Sequence, residues 1–146
     1  MRLSKRSEYG LRALVHLGRL GDDRFVQSRD LARAENLPGK YVELVLMTLR
    51  RAGLLKSRAG VGGGYRLARA PAHIKVTEVL DLLQHGDESD SGNGKAEARS
   101  PGEFGVSIIV GKLDQVIGKA LGDLTLEKLL DQIPRAAGQT TGMYYI

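Results

Sequence analysis

Lys40, Tyr41 and Glu43 fall within four residues on the polar side of an amphipathic stretch, and together they offer what base edges demand. A lysine donates to guanine, a glutamate accepts from cytosine N4, and a tyrosine reaches a phosphate or a thymine methyl. A solvated helix face would use the same residue types. A second group follows, in which Lys56, Arg58 and Arg66 flank the glycine-rich run Ala59-Gly60-Val61-Gly62-Gly63-Gly64. Few side chains in that turn would let the backbone at Gly60 and Val61 approach phosphates, although an ordinary flexible hairpin explains the run as well. Lys5 and Arg50 add cations suited to phosphates. Ser28 and the amides after it could hold a phosphate at a helix N-terminus, and a plain cap explains that serine equally.

Charge separates along the chain in the same sense. Residues 1–70 hold 15 Lys or Arg against 6 Asp or Glu, a net of +9, whereas residues 71–146 hold 7 against 11, a net of −4. One half is suited to a polyanion, and two short helical patterns followed by a glycine-rich turn make a DNA duplex the expected one. Enzymatic chemistry finds no support. The 146 residues include no cysteine, which removes disulfides, thiolate catalysis and cysteine-held zinc or clusters. His16, His73 and His85 have no metal-ligand spacing and no partner nucleophile, so they read as surface histidines. Gly60-x-Gly62-x-x ends on Tyr65, where a dinucleotide fold needs glycine or alanine, and no Gly-Lys-Ser/Thr follows for a P-loop. No run approaches the roughly 20 apolar residues that cross a bilayer, and no secretory signal opens the chain, so the expected location is the cytoplasm.

The elements that would position these residues can be read from periodicity. Residues 4–20 form a helix with one polar stripe, Lys5, Glu8, Arg12, His16 and Arg19. Ser28 caps a short helix over 29–35, which Asn36-Leu37-Pro38-Gly39 breaks. Pro38 then opens a helix to Ala52, with Val42, Val45, Leu46 and Leu49 inward at i, i+3, i+4, i+7. Strands over 54–58 and 65–68 make a hairpin. Thr77 caps a helix to Gln84. Residues 86–102 hold no apolar side chain larger than alanine and read as a mobile linker.

Beyond it, Val106, Val110, Leu113, Ile117, Ala120 and Leu124 alternate steps of four and three, widened by Ile109, Val116 and Leu121. This predicts a long helix from Glu103 to Gly122. Gly111 and Gly118, seven residues apart, would let a partner backbone come close, and the expected partner is the same helix of a second copy. Thr125 caps a last short helix that Pro134 stops.

Two helices and then a hairpin outline a winged helix-turn-helix. At this point the residues resemble the Rrf2 family of bacterial transcription regulators. The matching pieces are Met1-Arg2-Leu3-Ser4 through Leu14, Tyr41-Val42-Glu43, Leu49 to Leu54, Ser57 to Leu67, Val76 to Leu80 and Leu124-Thr125-Leu126. The resemblance implies a dimeric winged-helix DNA-binding protein, usually a repressor, with the long helix as the dimer contact. It also implies, for many members, an iron-sulfur cluster on three cysteines in the segment matching 86–106, with help from an acidic residue matching Glu8. This chain keeps Glu8, which can pair with Arg12, and has no cysteine. It is either a cluster-free member, since Met143-Tyr144-Tyr145-Ile146 is similar to the tail of the branch typified by the cysteine-metabolism repressor, or a replaced version with Ser89, Ser91 or Ser100 as stand-ins. Ala59 stands where the family often has arginine, which would shift or weaken wing contacts.

The expectation is therefore a mainly α protein with a small β wing. A winged helix-turn-helix domain spans 1–85, a linker 86–102, and a dimerisation helix, short helix and tail 103–146. It would act without metal or cofactor as a homodimeric repressor on an inverted-repeat operator, with no membrane partner. A regulatory protein partner, or a small effector between the winged domain and the long helix, is open. The alternative is an interaction protein that docks a metabolic enzyme, with DNA binding secondary or lost.

Overall fold

The computed structural model describes residues 2–21, 23–84 and 100–135. Outside the described residues lie His85, most of the expected linker, including Ser89 and Ser91, and the tail Met143 to Ile146. Helix α1 spans Lys5–Leu20, α2 Ser28–Glu35 and α3 Gly39–Arg51. Strands β1, Leu55–Arg58, and β2, Gly64–Leu67, form an antiparallel pair. A short 3-10 turn, Pro71–His73, leads to α4, Val76–Gln84; α5 spans Pro101–Leu121 and α6 Leu126–Gln132. The architecture is mainly helical with a two-stranded wing, as the periodicities predict.

The serines at the start of α1 do two jobs. Ser4 Oγ accepts from the Ser7 amide at 3.1 Å and so caps α1, while Gln84 Oε1 accepts from the Ser7 hydroxyl at 2.9 Å and the Ser4 amide at 3.1 Å. Ser7 is fully buried, and these bonds offset its desolvation. They also tie the start of α1 to the end of α4. Gly10 makes that approach possible, because a Cβ there would lie 2.2 Å from Leu83 Cδ1.

Leu14 and Leu17 of α1, Leu31 of α2, the inward stripe Val42, Val45, Leu46 and Leu49 of α3, and Val79 and Leu83 of α4 share one buried cluster. The wing joins it through Leu55 and Leu67. So does Leu126: its amide donates to Ile74 O at 2.8 Å, and Val76 N donates to Leu124 O at 3.0 Å. The chain therefore returns after α5 and packs α6 against α1 and the 3-10 turn.

Several element ends differ from the sequence reading. Ser28 is the first residue of α2 and not its cap; Gln27 holds that position and makes no side-chain cap bond. Thr77 lies inside the first turn of α4. Pro38 sits at the N-cap of α3, outside the helix proper. Helix α5 starts at Pro101, two residues early, because Ser100 and Glu103 close a capping box: Ser100 Oγ accepts from Glu103 N, and Glu103 Oε2 accepts from Ser100 N at 2.8 Å. Thr125 caps α6 as read, accepting from the Lys128 amide.

Candidate nucleic-acid interface

Helix α3 turns its inward stripe into the core, and that fixes which residues face out. Lys40 and Glu43 are exposed, and no hydrogen bond or ion pair holds either side chain among the described residues. Tyr41 is half-buried, its ring edge-on to Tyr9 of α1 with centroids 5.3 Å apart. It is braced and not a swinging contact. Arg50 is exposed in the last turn of α3, and Lys5 in the first turn of α1.

The same face carries a residue that the sequence reading passed over. Leu44 is 63% exposed, immediately after Glu43. With Arg6, Tyr41, Met47, Thr48 and Arg51 it lines a shallow depression of about 350 Å³. An exposed leucine bracketed by cations suits a thymine methyl between phosphates.

In the wing, the register pairs Lys56 with Arg66 and Arg58 with Gly64, so the pleat places Lys56, Arg58 and Arg66 on one face, opposite buried Leu55 and Leu67. Arg58 and Arg66 are brought together on one ring: their Cζ atoms lie 4.4 Å and 4.5 Å from the centre of Phe25. Arg58 Nη2 also donates to Gly62 O at 2.8 Å. Phe25 was missed because it sits in a loop and meets the wing only in three dimensions. Gly60 (φ +87°) and fully exposed Val61 form the wing tip. Ser28 stands near this tip only through its neighbours: Gln27 and Arg29 line a hollow with Val61 and Gly62.

His16 departs from the sequence reading. It is half-buried, its Nδ1 3.1 Å from Glu35 Oε1. Arg12 bridges Glu8, 3.5 Å away, and Glu35, whose backbone carbonyl also accepts from it. The polar stripe of α1 thus locks the end of α2. Arg69 pairs with Glu78, and the hydrogen bonds it donates hold that carboxyl below its ordinary range.

The predicted dimer helix α5 has no buried residue. Val106, Ile109, Val110, Leu113 and Val116 are exposed, as are Gly111, Gly118 and Ala120; Ile117 and Leu121 are half-buried. A Cβ at Gly111 or Gly118 would meet nothing within 4 Å. Between α5 and the winged domain lies a groove of about 640 Å³, lined by Leu3, Leu80, Val110, Leu113, Ile117 and Asp114 among others.

Residues 3–132 match the Rrf2 family, described as an iron-dependent transcriptional regulator. The chain belongs to the Rrf2 family. It is similar to a protein named as an HTH-type transcriptional regulator in Synechocystis sp., 35% identical over all of this chain and 99% of that one. Among solved structures it resembles IscR of T. potens, at 26% identity and TM-score 0.69 over 96% of this chain and 97% of that one. It also resembles CymR, the global cysteine regulator of B. subtilis, at 25% identity and TM-score 0.68 over 92% and 99%. This Rrf2 protein is thus a DNA-binding transcription regulator with a winged-helix fold. Its relatives are regulators and not enzymes.

Iron in the form of a cysteine-held cluster does not fit these residues. The chain has no cysteine, and among the described residues no three His, Asp or Glu side chains gather as a metal site. Glu8 is committed to Arg12. No helix among the described residues is long and apolar enough to cross a membrane.

Proposed function

We propose that this Rrf2 protein is a homodimeric repressor of an inverted-repeat operator, paired through α5 and reading successive major grooves with α3 of each protomer. The observation that carries the pairing is the 21-residue α5, apolar on one face from Val106 to Val116, a face that stays exposed among the described residues. An exposed seam of that length marks an interface, and a two-fold copy covers it with the same seam. The groove beside Leu3 and Leu80 shares Val110 and Leu113 with this seam, so the partner copy extends into it. Dimerisation then spaces the two α3 helices about 34 Å apart, one turn of duplex.

In this reading Lys40, Glu43 and Leu44 discriminate bases, Tyr41 holds the reading surface against α1, and Lys5, Ser28, Arg50, Arg58, Gly60, Val61 and Arg66 serve the backbone. Cytoplasmic action follows from the duplex as target.

Selection of bound genomic fragments by the purified protein, combined with sedimentation, tests the proposal. A dimer that enriches a palindromic site supports it. Monomers, or fragments no better bound than random duplex, overturn it; tight binding to an enzyme under those conditions would favour the docking alternative.

A further inference from the structure

We infer that Phe25 is a positioning residue that aims Arg58 and Arg66 of the wing at the DNA backbone, a role that rests on the DNA-binding reading above. Three cations, Lys56, Arg58 and Arg66, share one face of a two-stranded ribbon. Left alone, like charges on neighbouring strand positions repel and spread. Phe25 inserts its ring where the two guanidinium groups converge, 4.4 Å from one and 4.5 Å from the other. The negative face of an aromatic ring attracts such groups, and Arg prefers this stacking to Lys.

The ring is delivered at a set register. Val26, the next residue, exchanges two backbone hydrogen bonds of 2.8 Å with Tyr65 of β2. Gly64 leaves room for that bridge, since a Cβ there would lie 2.2 Å from Val26 O. The loop before α2 is thereby pinned to the wing by one isolated antiparallel bridge. Arg58 is held twice, by the ring and by Gly62 O. One of its five N–H donors is engaged there, and the rest can still serve a phosphate. An arginine already stacked loses less freedom when it meets that phosphate.

Phe25 acts through the arginines and should leave base discrimination alone. This separates it from a residue that merely supports the fold. The test uses the full chain and a synthetic duplex carrying the selected operator, with affinity measured across a salt series and thermal midpoints recorded. Phe25→Leu should weaken binding about fivefold and flatten the salt dependence by about one counterion. Phe25→Met serves as a second ring-free variant, and Phe25→Tyr, which keeps the ring, should bind within about twofold of the wild type. In an Arg58→Gln/Arg66→Gln background, Phe25→Leu should cost nothing further.

Equal losses in both backgrounds, or an unchanged salt slope in both ring-free variants, would overturn the inference while leaving operator binding intact. A wild-type protein that ignores duplex altogether would remove the DNA-binding reading and this role with it.

Discussion

Arg69 grips Glu78 with both terminal nitrogens, Nη2 to Oε1 at 2.6 Å and Nη1 to Oε2 at 3.0 Å, and so fastens the exit of the wing to the first turn of α4. Nη1 also donates to His73 O at 3.3 Å. The hydrogen bonds from Arg69 are the main reason that the Glu78 carboxyl titrates low, and the nearby positive charge adds to them. A carboxyl depressed in the folded state stabilises the protein above its unfolded value, near 4.5, and that contribution disappears as pH falls through the folded value. Both side chains are about a third exposed, so the pair is worth only about 1 kcal/mol. Glu78→Gln should therefore lower stability by that amount at pH 7 in urea unfolding, and by less at pH 3. An equal deficit at both pH values would contradict the account.

Gly64 makes a sharper case for the wing. Its φ of +127° and the 2.2 Å approach of Val26 O to a would-be Cβ leave no room for a side chain. Gly64→Ala should cost about 2 to 4 kcal/mol, or unpair Val26 from Tyr65. Hydrogen exchange at the Val26 and Tyr65 amides distinguishes these from a tolerated change, which would leave both protected.

Much of this architecture was legible in residue order, for reasons that also mark where legibility ends. The stripe Val42, Val45, Leu46, Leu49 needs only local period to reveal the inner face of α3, and it is buried as read. Lys40 and Glu43 face out by the same logic. Ser28 and Thr77 were misplaced as caps because capping depends on one backbone turn that composition does not specify. The Ser100-Pro101-Gly102-Glu103 box was visible as a pattern and overlooked inside a polar stretch. Phe25 and Leu126 are different: the first meets residues 33 and 41 positions away, the second bonds Ile74. No periodicity encodes such meetings. His16 looked like a surface residue because Glu35, its partner, belongs to another helix.

Base discrimination and backbone attraction should separate by residue. Lys40→Ala or Glu43→Ala should change which operator variants bind, by about 1 to 3 kcal/mol at one base pair of each half-site. Arg58→Ala should weaken all variants alike and reduce the salt slope by about one counterion. A library of operator variants read at two salt concentrations decides it; a uniform loss from Lys40→Ala would place that lysine on the backbone instead.

Leu44 predicts a readout no polar residue would give. If its exposed side chain packs on a thymine methyl, replacing that thymine by deoxyuridine removes the contact without altering any hydrogen bond. One position of each half-site should then lose about fourfold in affinity for the wild type, the worth of one buried methyl. Leu44→Ala should bind both duplexes equally at that position. Scanning every thymine of the operator and finding none whose methyl matters more to the wild type than to Leu44→Ala would refute the contact.

The α5 seam can be broken without touching the winged core, because Val116 is 62% exposed and lies outside the buried cluster. In a dimer joined by a two-fold axis each substitution enters the interface twice, so Val116→Glu sets two carboxylates into an apolar seam. Dimer dissociation should strengthen at least tenfold in sedimentation equilibrium, with little change in the far-ultraviolet spectrum. Operator affinity should fall more steeply than the affinity for a single half-site, since a monomer can dock one α3 but not two. Equal losses on both duplexes would mean that Val116→Glu damages the reading head, and an unaltered dimer would show that α5 pairs through another face.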